Sequence, residues 1–170
     1  MSYYSGKVGY YKNMIFKFLK TKIAEKAMHK EVDELKKNLD EASFKFIESF
    51  VSNFDAQTIL TPKKNQLPKS FFIYGYMYSY IDRTFQMSIY KKNETLWMEG
   101  ALVVFVHYYG AKLASQVLQR AEKYTKENED FIDGAKVGAK EAYDMMKFGK
   151  YPKGISKYIL EHYENLKDWY

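Results

Sequence analysis

The chain has 170 residues, a net charge of +6 and no cysteine. This length suits one domain with its own core, and the lack of cysteine excludes disulfides, thiolate metal sites and cysteine nucleophiles. The longest apolar run, Ala101 to Tyr109, is about half the length of a membrane span. We therefore expect a single cytoplasmic domain over residues 1–170 without a membrane span.

The excess positive charge lies at the N-terminus. Residues 1–30 contain seven lysines and one acidic residue, whereas residues 31–170 contain 20 basic and 20 acidic side chains. Tyrosines and lysines are interleaved in this region: Tyr3, Tyr4, Lys7, Tyr10, Tyr11, Lys12, Lys17, Lys20 and Lys22. Tyrosine rings can stack on unpaired bases while lysines neutralise phosphates, so a nucleic-acid-binding arm is one hypothesis, with residues 1–10 as a flexible segment. A lysine-rich helix face that only contacts solvent is the alternative.

A long N-terminal helix is predicted next. No glycine or proline occurs between Gly9 and Pro62, which favours a continuous helix over about residues 11–54. Apolar residues recur there at spacings of three and four: Met28, Val32, Leu35, Leu39, Ala42 and Phe46. Such a seam is typical of a helix packed at a shallow angle in a bundle. A turn at Asn38 and Asp40 that divides the segment is the alternative.

Two strongly apolar segments follow. The first, SFFIYGYMYSYIDRTFQM, carries one narrow stripe of small or polar residues when placed on a helix: Gly75, Ser79, Asp82, Arg83 and Gln86. A helix this apolar is expected to be buried. The second begins after Asn93, a favourable N-cap, and we expect one helix over about residues 94–125. Because tyrosine, phenylalanine and valine also favour sheets, strands over 71–90 and 96–110 are the alternative.

The last third of the chain predicts two amphipathic helices. The first begins after Asn128, and its expected inward face is Phe131, Ala135, Gly138, Ala139, Ala142 and Met146. Gly134 and Gly138 make a smooth strip that allows another helix to approach closely. The second follows Pro152, with the inward face Ile155, Tyr158, Ile159, Tyr163, Leu166 and Trp169. The sequence therefore predicts an all-α, single-domain bundle of about five to six helices, with a long N-terminal helix and a buried aromatic central helix.

No familiar catalytic or cofactor motif occurs, so we predict no catalytic residue, no metal and no cofactor. Glu99 and His107 lie eight residues apart on one helix face and are expected to point toward the core. If the stripe with Asp82 and Arg83 faces them, the four side chains would form a small-molecule or metal site. Its walls would be Tyr74, Tyr78 and Tyr108. The alternative is structural: Glu99 pairs with Arg83, His107 is satisfied in the core, and Asp82 reaches water.

The composition favours a binding role over catalysis. The chain contains 17 tyrosines, 12 phenylalanines and 2 tryptophans, more rings than we expect its core to hold. Exposed tyrosine is typical of recognition surfaces, because it combines contact area with a polar group. The leading hypothesis is a non-catalytic helical protein that binds a protein partner or a second copy of itself. Nucleic-acid binding by the arm and a ligand site around Glu99 and His107 are the alternatives.

Overall fold

The computed structural model describes residues 30, 33–34, 36–62 and 66–166. They form five helices: α1 (Glu41–Thr58), α2 (Phe71–Met87), α3 (Glu94–Glu127), α4 (Glu129–Phe148) and α5 (Gly154–Leu166). Residues 30, 33–34 and 36–38 are helical as well. The all-helical, single-domain fold is confirmed, and both apolar segments are helices instead of strands. The predicted arm and the predicted helix up to residue 29 lie outside the described residues.

α1 begins after a turn that interrupts the predicted N-terminal helix. Asp40 has extended backbone angles, φ −64° and ψ 157°. Its carboxylate accepts hydrogen bonds from the backbone N–H and the hydroxyl of Ser43, at 2.9 and 2.8 Å. This N-cap satisfies a donor at the start of a new helix. The prediction of a helix that continues through Asp40 is therefore wrong, and the alternative with a turn near Asn38 describes the chain.

The turn also changes which face of α1 is buried. Ile47, Phe50 and Phe54 are buried in the core, whereas Ala42 is exposed and Phe46 is only half-buried. The buried face thus lies one residue away from the predicted seam. A break in the helix changes which residues of the following helix face the core. The seam positions Met28, Val32 and Leu35 lie outside the described residues.

α2 is the buried aromatic helix that the sequence predicts. Tyr76 and Tyr80 are almost completely buried within it. The ring of Tyr80 lies 5.5 Å from that of Phe54 and 6.5 Å from that of Phe50, both edge to face. Aromatic pairs in this geometry add to the free energy gained from burial alone. α2 therefore packs on α1 through these rings, and it also packs on α3, α4 and α5.

α2 and α4 form the closest helix contact in the described fold. A Cβ atom built on Gly134 would fall on the carbonyl of Phe72, and one built on Gly138 would fall on that of Tyr76. Residue numbers rise together along both helices at these contacts, so the two helices run parallel. The predicted smooth strip is confirmed as a backbone-to-backbone contact. Of the other predicted inward residues on α4, Phe131 and Ala142 are buried, whereas Met146 is 43% exposed.

α3 covers the predicted helix but contains a break. Gly110 has φ 72° and ψ 164°, which lies outside helical geometry and in a region that favours glycine. The first half of α3 packs on α1, with Gly100 against Ile47. In the second half, the ring of Tyr124 lies 5.5 Å from that of Phe131 in α4. The two halves of α3, before and after the break, therefore pack on different neighbouring helices.

Among the described helices, only α3 has the length and apolar composition of a membrane span. Half of its most apolar 18-residue window is buried within the fold. Core helices of soluble proteins meet the same criteria, so this single helix is weak evidence for a membrane span.

Candidate functional site

The polar stripe of α2 ends in a groove beside α4, where the glycine contact gives way to larger side chains. The groove has a volume of about 400 Å³. It is lined by Ser79, Asp82, Arg83, Gln86, Ala139, Lys140 and Tyr143. The sequence therefore identified the α2 side of this groove correctly as a polar stripe. The α4 side depends on how the two helices pack.

Asp82 and Arg83 lie together in this groove and both contact Gln86. The amide of Gln86 donates to the Asp82 carboxylate at 2.6 Å, and its carbonyl oxygen accepts from the Arg83 guanidinium at 3.4 Å. Burial raises the pKa of Asp82, and the nearby positive charge of Arg83 offsets part of that effect. Arg83 also lies 5.7 Å from the centre of the Tyr143 ring, within range of a cation–π contact.

Beyond the groove, the end of α4 and the loop after it expose several large apolar side chains. The exposed fractions are 38% for Tyr143, 43% for Met146, 59% for Phe148 and 77% for Tyr151. The rings of Tyr143 and Phe148 lie 6.1 Å apart, edge to face. The Lys150 ammonium lies 5.2 Å from the centre of the Phe148 ring. We use the name α4 terminal surface for Tyr143, Met146, Phe148, Lys150 and Tyr151 together with Arg83.

His107 lies in a different place from Asp82 and Arg83. It is exposed and lines a second groove, of about 260 Å³, between α1 and α3. The other lining residues are Lys36, Phe44, Ile47, Glu48, Val51, Ser52 and Val103. The expectation that His107 points toward the core is wrong, because its position on the helix face falls at the rim of the α1–α3 contact. The two predicted halves of the ligand site are therefore in separate grooves.

Glu99 lines neither of these grooves. It is half-buried, and its carboxylate makes no hydrogen bond or ion pair with another described residue. The tyrosines predicted as walls are also dispersed. Tyr108 donates to Asp55 of α1 at 2.7 Å, Tyr74 packs on Tyr109, and Tyr78 packs on Trp97. Of the four predicted ligand-binding side chains, the structure thus brings only Asp82 and Arg83 together.

Replacing Glu99 with glutamine is expected to stabilise the fold slightly at neutral pH. Burial raises the pKa of Glu99 above its ordinary value of 4.5, so the fold disfavours the ionised carboxylate. Its contribution to stability is fully present below that ordinary value and declines as pH rises through the raised pKa. Because the side chain is partly exposed, solvent screening keeps the expected gain below about 1 kcal/mol.

Urea unfolding of the parent and Glu99→Gln, at neutral pH and at a pH below the ordinary carboxyl pKa, measures this difference. The gain should disappear at the acidic pH, where both side chains are neutral. A variant that is less stable than the parent at neutral pH would show that the ionised carboxylate makes a favourable interaction, and would contradict the expectation.

A buried polar network at the start of α5 is not evident from the sequence. One carboxylate oxygen of Glu141 accepts from the Tyr76 hydroxyl at 2.6 Å and from the backbone N–H groups of Lys153 and Gly154 at 3.0 and 2.9 Å. A carboxylate at a helix N-terminus is favourable, because free N–H groups and the helix dipole attract negative charge. This oxygen is fully used by protein donors, which indicates a structural role for Glu141.

Gln57 of α1 extends the same network. Its carbonyl oxygen accepts from the backbone N–H of Ile155 at 2.9 Å, and its amide donates to the Tyr76 hydroxyl at 3.2 Å. The network thus connects α1, α2 and α4 to the start of α5. Gln57 and Ile155 are 98 positions apart in the chain, so no local sequence pattern could have predicted their contact.

Comparison of the chain with protein-family models, with curated proteins and with solved structures found no match. Within the described ranges, no group of three or more histidine, aspartate or glutamate side chains is arranged to hold a metal ion. The two grooves and the α4 terminal surface are therefore the features on which a functional proposal can be based.

Proposed function

We propose that this chain is a non-catalytic binding protein that contacts a protein partner, or a second copy of itself, through the α4 terminal surface. The observation that carries the proposal is the exposure of Tyr143, Met146, Phe148 and Tyr151, all within residues 143–151. Tyrosine, phenylalanine, methionine and arginine are the residue types enriched at protein interfaces. Isolated exposed apolar residues are ordinary, but a contiguous group of them is typical of an interaction site.

The bonding in the neighbouring groove supports binding over catalysis. The Asp82 carboxylate accepts from Gln86, and the ammonium of Lys140 pairs with Asp144 at 2.6 Å. A general acid or base needs a polar atom directed at a substrate proton. In this groove the acidic and basic groups are instead bonded to their own neighbours on the same helix, so they serve to shape the surface.

Replacing Phe148 and Tyr151 together with serine tests the proposal. Two aromatic anchors of an interface commonly contribute more than about 2 kcal/mol, so we expect binding to weaken by at least about thirtyfold. Ile89→Ser with Leu160→Ser is the matched control, because these side chains are 89% and 56% exposed on other segments. Circular dichroism establishes that both variants keep their helices.

The measurements are sedimentation velocity for self-association, and affinity capture from a cell extract with each variant as bait. If the ligand is another protein, the parent and the control variant should capture it and the Phe148 and Tyr151 variant should not. If the ligand is a second copy of the chain, the parent and the control variant should self-associate and the Phe148 and Tyr151 variant should not. If the surface variant self-associates and captures proteins to the same extent as the control, the α4 terminal surface is not the binding site.

A further inference from the structure

The α4 terminal surface and the adjacent Lys147 carry positive charges that form no ion pair with a described residue. Between residues 145 and 160 there are four lysines and no acidic residue. Lys157 pairs with Glu161, at 3.8 Å. Lys147, Lys150 and Arg83 make no ion pair with any described residue. Arg83 and Lys150 lie over two of the exposed rings, and Lys147 is exposed on the same part of α4. The charge of Arg83 acts on Asp82 and that of Lys150 on Asp144, but neither pair is within ion-pair distance.

Three carboxylates of α2 and α4 near this surface are bonded to other groups. Asp144 is held by Lys140, Asp82 accepts from Gln86, and Glu141 accepts from the start of α5. None of these groups can turn toward the rings without losing the bonds that hold it. Among the described residues, these carboxylates are thus not free to pair with the cations beside the rings, which favours an acidic group of another molecule as their partner.

The rings distinguish between two kinds of anionic ligand. Bases of a nucleic acid stack on the faces of aromatic side chains. Here a cation already lies over one face of each of two rings, Arg83 over Tyr143 and Lys150 over Phe148. Carboxylates can bind these cations at the edge of the surface and leave the cation–π contacts in place. Met146 adds an aliphatic contact, which suits an apolar side chain of a protein.

We infer that the α4 terminal surface binds an acidic segment of a protein, with carboxylates beside Lys147, Lys150 and Arg83 and an apolar side chain against Met146 and Phe148. The inference rests on the proposed function, because it specifies the ligand of the same surface. The groove beside Tyr143 extends this surface toward α2, so a bound segment has room to continue along the two helices.

The test uses the full chain and three fluorescent probes. The first is a peptide in which pairs of glutamates alternate with a leucine and a phenylalanine; the second replaces each glutamate with glutamine; the third is an oligothymidylate. We expect the acidic peptide to bind at least about tenfold more tightly than the glutamine peptide, and less tightly as salt is added. Fluorescence anisotropy measures each affinity.

Charge-reversed variants locate the binding site. Lys147→Glu with Lys150→Glu should weaken binding of the acidic peptide by at least about tenfold. Lys112→Glu with Arg120→Glu changes the net charge equally, on exposed positions of the second half of α3, and should change the affinity less than about twofold. Retained helicity by circular dichroism shows that both variants fold.

Four outcomes would overturn the inference: no binding of the acidic peptide, equal binding of the glutamine peptide, equal loss in the two charge-reversed variants, or tighter binding of the oligothymidylate through Lys147 and Lys150. The last would assign the surface to nucleic acid.

Oligothymidylate binding that disappears only when residues 1–22 are removed would instead support the hypothesis of nucleic-acid binding by the N-terminal arm. If partner capture depends on Phe148 and Tyr151 but not on these lysines, the proposed function stands and the acidic ligand does not.

Discussion

Replacing Gly134 with alanine is expected to destabilise the protein by about 3 kcal/mol or more. The new Cβ would fall on the backbone carbonyl of Phe72, and a backbone atom cannot move aside as the end of a side chain can. Relief requires α2 and α4 to separate along their whole contact, where Gly75 is equally close to the carbonyl of Phe131. Alanine favours an isolated helix by about 1 kcal/mol over glycine, so a loss of stability can only come from the packing.

Gly100→Ala is the matched control, since Gly100 is also buried inside a helix. Its Cβ would meet only side-chain atoms, at 3.2 Å from Ile47 and 3.4 Å from Phe85. These can shift by a few tenths of an ångström, so we expect a change within about 1 kcal/mol of the parent. Urea unfolding followed by circular dichroism measures both variants. A Gly134→Ala variant as stable as the parent would show that α2 and α4 lie farther apart than the structure has them.

Replacing Glu141 with alanine is expected to lower the free energy of unfolding by about 2–4 kcal/mol, the second largest effect. The substitution removes one acceptor from three donors, including the backbone N–H of Gly154, which is buried. Burial and the adjacent negative charge raise the pKa of Tyr76 well above its ordinary value. Its hydroxyl therefore stays protonated and, without Glu141, keeps only the long contact of 3.5 Å to the carbonyl oxygen of Gln57 as an acceptor.

Because the network holds the start of α5, its loss should also appear locally. We expect the amide hydrogens at the start of α5 to exchange faster in Glu141→Ala, while those of α2 change only in proportion to the global loss. Glu122→Ala is the control, since Glu122 is exposed and its carboxylate bonds only Lys126 along the same helix, at 3.2 Å. A loss below about 0.5 kcal/mol is expected there. Equal losses for the two variants would mean that the network does not anchor α5.

At the candidate site, the sequence pattern predicted some positions correctly and others wrongly. The stripe with Asp82 and Arg83 is predicted as polar, and it lies at a groove. The reason is that the polar stripe of an otherwise apolar helix is the part that the core does not bury. His107 was assigned to the core from the same kind of pattern and is exposed. Periodicity identifies which residues share a face of a helix, but the extent to which neighbouring helices cover that face depends on packing that the pattern does not contain.

Features that depend on near neighbours in the chain could be predicted from the sequence. Asn93 and Asn128 cap α3 and α4 through bonds to residues three positions later, Leu96 and Phe131, at 3.0 and 2.9 Å. The helical character of both apolar segments was likewise predicted from composition and spacing, and Gly134 was recognised as part of a contact strip.

What the strip contacts, and where the remaining polar groups lie, depends on how the helices pack. The strip meets the backbone of α2, Glu141 holds the start of α5, and Phe148 remains exposed beside Lys150. Each of these outcomes requires helices distant in the chain to be placed in three dimensions. The reason is that capping and periodicity depend on a few bonds within one turn, whereas burial and hydrogen bonding between helices depend on the free energy of the whole packed bundle.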